Sequence, residues 1–260
     1  MRLDLNADVG ESFGVYKLGQ DALLMPAVTS ANIACGFHAG DPGVMRKTVT
    51  LARQHGVAIG AHPGFPDLVG FGRREVQATA REVEDFVVYQ IGALAAVATA
   101  QGLRLQHVKA HGALYNMAVR DAALADAIAR AAASVDPALI LFGLPGSQLI
   151  AAGRRAGLRV AREGFADRAY QRDGTLVPRH EPGAVIEGPE IVVNRAISMA
   201  RERMVNAIDG SPITIEIDTM CVHGDTPGAA KLASRIRHAL SDAGVSVLPL
   251  GAPAVASEAQ

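Results

Sequence analysis

The stretch Asp4-Leu-Asn6-Ala-Asp8-Val-Gly-Glu11 is the first of five short polar clusters, four of which follow directly on an apolar run. Buried strands do not need such groups, and unrelated loops would not repeat them. Polar side chains gathered at the ends of successive strands are typical of the active face of an α/β barrel. The pattern therefore predicts an enzyme. The other clusters are Asn32-Ile-Ala-Cys35-Gly-Phe-His38-Ala-Gly-Asp41, Gly60-Ala-His62-Pro-Gly-Phe-Pro-Asp67, Lys109-Ala-His111-Gly-Ala-Leu-Tyr115-Asn116 and Cys221-Val-His223-Gly-Asp225.

Composition narrows the class of protein. A chain of 260 residues that is 49% hydrophobic can bury one large core, and α/β barrels commonly use about 250 residues. A formal net charge of −1 argues against nucleic acid or an anionic membrane as the partner. No apolar run is long enough to span a membrane, and no signal peptide is visible. Cys35 and Cys221 form no CxxC pair, which favours a reduced, cytoplasmic protein.

Strand-like and helix-like stretches alternate along the chain, which indicates parallel β/α units. Candidate strands lie at 2–5, 28–34, 57–61, 105–109, 139–142, around 160 and at 213–217. Helix starts are predicted at Asp41-Pro42, at the capping box Thr79-Ala-Arg-Glu82, and at Asp121, Ser147, Pro189 and Thr226-Pro227. We interpret residues 1–260 as a single-domain, seven-stranded (β/α) barrel with a tail after about residue 251; an open doubly wound sheet is the alternative.

The first candidate site residues are those whose side chains point into the barrel from a strand. Asp4, Asn6 and Asp8 alternate on a strand, so all three point into the barrel, where each needs a polar partner. Lys109 and His111 share one direction as well, and a lysine pointing inward must be paired or used.

The loops add further candidate residues, and each of them can instead have a purely structural role. His38 precedes a helix whose free amides near Asp41 could hold an anion, or it satisfies backbone groups locally. His62 opens a Gly/Pro-rich loop closed by Arg73 and Arg74, either of which binds a carboxylate or lies on the surface.

No nucleotide-binding motif is present in the sequence. The Gly-x-x-x-x-Gly-Lys-Ser/Thr phosphate loop and a Gly-x-Gly-x-x-Gly after a strand are both absent. Histidines and aspartates at strand ends can ligate a divalent metal, but no HExxH pair is present and spacing alone does not establish a site, so the metal is left open with Asp8, His38 and His62 as candidates.

Taken together, these clusters closely resemble the LamB/YcsF lactam-utilisation family, which provides the A subunit of bacterial 5-oxoprolinase. The match runs in order over nearly the whole chain and also includes Glu163-Gly-Phe-Ala-Asp167-Arg168-Ala-Tyr170, Arg179 and Asp218-Thr-Met-Cys-Val-His-Gly-Asp225.

The resemblance implies a barrel related to glycoside hydrolase and deacetylase barrels. It implies cleavage of 5-oxo-L-proline to L-glutamate with ATP as co-substrate, in a complex with subunits B and C, one of which activates the lactam. On this hypothesis the catalytic residues are Asp8, Lys109 and His111. The candidate substrate-binding residues are Asn6, Glu11, Asn32, His38, His62, Arg168, Arg179 and Asp225.

Two other functions stay open at this point. One is a stand-alone, metal-dependent deacetylase of amides or polysaccharides, and the other is a subunit that delivers substrate without catalysis. Bound metal would favour the first, and failure to open an activated lactam would favour the second.

Overall fold

A closed barrel of seven parallel strands forms the centre of the protein. The computed structural model describes residues 1–222 and 228–251. Strand β9 (Thr219–Val222) pairs with β6 (Arg159–Phe165) on one side and with β1 (Arg2–Val9) on the other, which closes the sheet. Two further strands form a separate antiparallel hairpin, and the last strand joins β1 at Arg2 and Leu3. In chain order the strands are β1 (Arg2–Val9), β2 (Ser30–Ala34), β3 (Ala58–His62), β4 (His107–Val108), β5 (Ile140–Gly143), β6 (Arg159–Phe165), the hairpin β7 (Met204–Asn206) and β8 (Pro212–Thr214), then β9 (Thr219–Val222) and β10 (Ser246–Val247).

Helices connect these strands and pack apolar faces against the sheet. Four of the predicted caps are confirmed: Asp41, Thr79, Asp121 and Ser147 accept hydrogen bonds from amides of the first turn. Among the described residues, no helix is long and apolar enough to cross a membrane. The helices are α1 (Asp21–Leu24), α2 (Pro42–His55), α3 (Ala80–Thr99), α4 (Gly112–Arg120), α5 (Ala122–Val135), α6 (Gln148–Arg155), α7 (Pro189–Arg201) and α8 (Ala229–Asp242).

The seven-stranded barrel is confirmed, but the prediction of its last strand at 213–217 is wrong. That segment contributes Pro212–Thr214 to the antiparallel hairpin, and the seventh barrel strand is Thr219–Val222. The alternation of Ile213, Ile215 and Ile217 marks a segment with one buried side. A barrel strand is buried on both sides, so its burial does not alternate, as in the fully buried β9. The predicted helix start at Thr226-Pro227 and the tail after about residue 251 lie outside the described residues.

The first strand is longer than predicted and carries its polar side chains inside the barrel. Asp4 and Asn6 are fully buried, and Asp8 is nearly so. Asp4 accepts hydrogen bonds from the hydroxyls of Thr29, Ser30 and Thr219, at 2.5–2.7 Å. A column of satisfied polar groups therefore runs up the barrel axis from Asp4 to Asp8, and it ends at the carboxyl ends of the strands, where the candidate site lies.

Candidate active site

Lys109 lies at the centre of the site, held between two carboxylates. Its Nζ is 2.8 Å from Asp8 Oδ1 and 2.8 Å from Glu163 Oε1, and 3.0 Å from Cys221 Sγ. Lys109 is only 3% exposed. Burial by itself lowers the pKa of Lys109, but the charges of Asp8 and Glu163 outweigh burial, so the pKa lies well above its usual value. The ammonium is therefore charged and paired, as predicted for a lysine that points into the barrel.

Four different strands bring these groups together. Asp8 is near the end of β1, Lys109 directly follows β4, and Glu163 lies on β6. Cys221 belongs to β9, whose residues stand in register with β1 so that Cys221 is opposite Asn6. Residues far apart in sequence thus meet because parallel strands of a barrel all end at the same face.

Asn6 and Asn32 lie beneath Asp8 and hold it in place. The Asn32 amide donates to Asp8 Oδ1 at 2.8 Å and to Asn6 Oδ1 at 2.7 Å, while Asn6 donates to the Thr219 hydroxyl. The ring of His107 donates from Nε2 to Asn32 Oδ1 at 2.7 Å and stacks on Phe142. Both asparagines, predicted to contact substrate, are fully buried below the floor of the site.

Three histidines and Glu11 form a second cluster beside Lys109. His62 Nδ1 lies 2.7 Å from the Lys109 carbonyl oxygen, and His111 Nε2 lies 2.8 Å from the Phe71 carbonyl oxygen. His38 lies flat on the ring of His111, with 3.8 Å between ring centroids. Burial, and then the neighbouring histidines, lower the pKa of both His38 and His111 well below the usual value. One ligand atom from each of Glu11, His38, His62 and His111 lies within 4.8 Å of the others, so this group can hold a metal ion.

Arginines form one wall of the cavity that opens above Lys109. The cavity has a volume of about 860 Å³, and Asp8, Lys109 and His111 lie in its lining. Arg168 and Arg179 line it as predicted, together with Arg73. Arg168 is buried and donates to the carbonyl oxygens of Ala184 and Val177. Burial and then the charge of Arg179 lower the pKa of Arg168 to about 10. It stays cationic at neutral pH, so this wall favours an anionic ligand.

Two sequence-based alternatives are settled by direct contacts. The amides at the start of α2 are not free for a ligand, because the side chain of Asp41 accepts hydrogen bonds from Gly43 and Val44. Arg74 pairs with Asp67 at the base of its loop instead of facing the cavity. Asp225 and His223 lie outside the described residues.

Sequence reasoning missed Glu163 and the position of Cys221. Glu163 stands inside the quoted Glu163–Tyr170 motif, within β6, and is fully buried. The available signal was an acidic residue close behind the predicted strand around residue 160. Cys221, like Cys35, was interpreted as a small packing residue. Cys35 is buried, with its sulfur 3.1 Å from the Ile33 carbonyl oxygen, whereas Cys221 contacts the ammonium of Lys109. Burial raises the pKa of Cys221 well above the usual value, so its sulfur remains a thiol.

Comparison with known proteins identifies the family. The sequence pattern of the LamB/YcsF family matches residues 3–255. The chain belongs to the LamB/YcsF family. This LamB/YcsF protein is 57% identical to the 5-oxoprolinase A subunit of Tolumonas auensis over 246 residues, which cover 95% of this chain and 98% of that one. It is 55% identical to the 5-oxoprolinase A subunit of Pyrococcus furiosus over 251 residues, which cover 96% of this chain and 98% of that one.

A solved structure of the same family shares the fold. The lactam utilization protein from Thermus thermophilus superposes on the LamB/YcsF protein with a TM-score of 0.91 at 52% identity. The superposition covers 95% of this chain and 99% of that one. The resemblance inferred from the polar clusters is therefore confirmed, and so is the barrel.

Proposed function

We propose that this LamB/YcsF protein is the ring-opening subunit of an ATP-dependent 5-oxoprolinase, which hydrolyses the lactam of 5-oxo-L-proline to L-glutamate. Close relatives are named as the A subunit of 5-oxoprolinase. The observation that carries the proposal is the buried Lys109, which is paired with Asp8 and Glu163 in the floor of a cavity walled by arginines.

Recognition of 5-oxo-L-proline requires a cation for its carboxylate and a polar floor for its ring amide. Arg168 and Arg179 bind the carboxylate, because guanidinium groups pair with carboxylates through parallel hydrogen bonds. The amide then faces Lys109 and Asp8, both of which line the same cavity. Glu11, His38 and His62 complete the polar surroundings of the floor.

Ring opening adds water to the carbonyl carbon and breaks the carbon–nitrogen bond. Asp8 orients the water and accepts its proton, which then passes to the ring nitrogen as the bond breaks. Lys109 stabilises the negative charge that develops on the carbonyl oxygen or on a phosphate attached to it, and His111 lines the cavity beside it. Asn32 and Lys109 hold Asp8 in the position that this role needs.

Subunits B and C supply the ATP-dependent step in this proposal. An unstrained lactam is a poor electrophile, and phosphorylation of its carbonyl oxygen makes the ring carbon more electrophilic. Water addition and cleavage of the carbon–nitrogen bond then give an acyl phosphate, and its hydrolysis by a second water releases phosphate and glutamate. The absence of a phosphate-loop motif from the sequence supports this division of labour, as does the word "subunit" in the names of the relatives. We place the reaction in the cytoplasm, where Cys35 and Cys221 remain reduced thiols.

Reconstitution tests the proposal. Purified chain, partner subunits, ATP and 5-oxo-L-proline together should release glutamate, whereas the chain alone should turn over neither ATP nor 5-oxo-L-proline. Robust ATP hydrolysis by the chain alone, or glutamate release by the partners without it, contradicts the division of labour. Asp8→Asn distinguishes catalysis from delivery, because a subunit that merely delivers substrate would keep normal turnover in the complex.

A further inference from the structure

Two histidine ring nitrogens, one from His62 and one from His111, face each other without a hydrogen atom between them. His62 Nε2 and His111 Nδ1 are 2.9 Å apart. The other nitrogen of each ring lies against a backbone carbonyl oxygen, which only accepts, so His62 Nδ1 and His111 Nε2 each carry the ring hydrogen. The facing nitrogens therefore both present lone pairs. Such a pair is repulsive in a buried site unless a cation lies beside both.

Two more ligand atoms stand around this pair. Glu11 Oε1 lies 3.9 Å from His111 Nδ1 and 3.9 Å from His38 Nε2. His38 is 1% exposed, and within the described parts of the chain neither of its ring nitrogens has a hydrogen-bond partner. Buried polar atoms are nearly always paired, so an unpaired ring next to a carboxylate indicates a ligand site.

We propose that Glu11, His38, His62 and His111 form a binding site for one divalent transition-metal ion of the zinc class. Three imidazole nitrogens and one carboxylate oxygen match the ligands that such ions take, whereas Mg²⁺ and Ca²⁺ prefer oxygen ligands alone. The carbonyl oxygens of Lys109 and Phe71 fix the ring orientations of His62 and His111, as second-layer acceptors do in metal sites.

The proposed set differs from the metal candidates that the sequence suggested. His38 and His62 are retained, and Glu11 and His111 are added. Asp8 Oδ2 is 3.4 Å from His62 Nε2, but Asp8 does not belong to the group whose ligand atoms all lie within 4.8 Å of one another, and its Oδ1 is held by Lys109 and Asn32, so we assign it to the reaction and not to the ion. The site borders the proposed catalytic floor, yet the inference rests on the histidine contacts and not on the lactam reaction.

The histidines should contribute unequally. His38 and His111 are stacked with 2° between their ring planes, so one ion cannot lie in the planes of both rings. His38 must turn to reach an ion held by His111. His62 is nearly perpendicular to His111, with 88° between the planes, so one ion can lie in the planes of both rings. Loss of His62 should therefore weaken binding more than loss of His38.

Zinc binding by the full-length chain tests the site. After chelator treatment, the chain is titrated with Zn²⁺ against a competing chelator, and the bound metal is counted after desalting. We expect one ion per chain and a rise in the unfolding temperature with Zn²⁺. His62→Ala and Glu11→Gln should each weaken binding about a hundredfold or more, because even second-layer changes cost about 10–100-fold. His238→Ala removes a histidine on the outer helix α8 and should leave binding unchanged.

Two results of the zinc titration would overturn the proposed metal site. A wild-type chain that takes up only traces of Zn²⁺ overturns the proposal, as does equal binding by His62→Ala and wild type. If His62→Ala does not fold, the isosteric Glu11→Gln carries the test. Failure here leaves glutamate release by the reconstituted complex unaffected, so the metal site and the proposed function are judged independently.

Discussion

At the scale of single residues, Lys109 explains most of the site. A buried ammonium is costly unless it is paired, and Lys109 has Asp8 and Glu163 at 2.8 Å each. The Lys109 ammonium stabilises both carboxylates, and they hold this cation where a substrate oxygen would gain negative charge. The same interactions make the lysine a structural element, so its two roles have to be separated by experiment.

Lys109→Met should lower turnover of the reconstituted complex by about a hundredfold or more, because a preorganised donor to a developing oxyanion contributes ~3–4 kcal/mol. It should also lower the free energy of unfolding by ~3–5 kcal/mol, since two buried carboxylates lose their cation. Steady-state kinetics and urea unfolding measure the two effects. Lys47→Met, on the exposed side of α2, is the matched control.

A double variant separates the two roles of Lys109. Adding Glu163→Gln to Lys109→Met removes one unpaired carboxylate, so part of the stability should return while turnover stays low. Normal turnover in Lys109→Met would show instead that the lysine is structural, and the roles assigned around His111 would have to be redrawn.

At the scale of elements, a tight corner between two strand-end loops sets the position of His111. Gly112 begins α4 with φ +55°, and a Cβ there would lie 2.5 Å from the Gly72 carbonyl oxygen. The Ala113 amide donates to that same oxygen at 2.9 Å. The loop from β3 and the start of α4 are thus in direct backbone contact, and His111 directly precedes the contact.

Gly112→Ala should destabilise the chain and displace His111. The left-handed backbone costs roughly 1–2 kcal/mol for a residue with a Cβ, and the collision adds about 1–3 kcal/mol. Gly146→Ala is the control, because Gly146 has φ +76° but no atom within 4 Å of an added Cβ. Thermal unfolding and turnover of both variants are compared. Equal losses in the two would show that the corner contact contributes nothing beyond backbone strain.

At the scale of the whole molecule, the polar column inside the barrel makes folding sensitive to acid. Burial, and then the charge of Lys109, lower the pKa of His107 from 6.5 to about 3. The unfolded chain therefore binds a proton that the folded chain does not, between those two values. Stability supplied by neutral His107 is complete above about pH 6.5 and is lost as the pH falls toward 3.

The free energy of unfolding should accordingly fall between about pH 7 and about pH 4.5, and His107→Gln should reduce the size of that fall. Glutamine keeps a donor for Asn32 Oδ1 but does not titrate. Urea unfolding at a series of pH values measures the slope, with His238→Ala on α8 as the control. The same pH slope in His107→Gln and wild type would be inconsistent with a neutral His107 in the folded state.

Sequence alone determined the barrel, most of its helix starts and the face on which the site lies. The alternation of strand-like and helix-like stretches is a local signal that can be read from the sequence. Capping residues such as Thr79 and polar strand ends such as Asp8 and His62 are local signals as well. Tertiary structure alone decided which groups meet. Glu163 and Cys221 reach Lys109, and His62 faces His111, because strand register and barrel closure set distances between residues some fifty to over a hundred positions apart. No local pattern encodes that register, which is why the partners of Lys109 were found only in the folded chain.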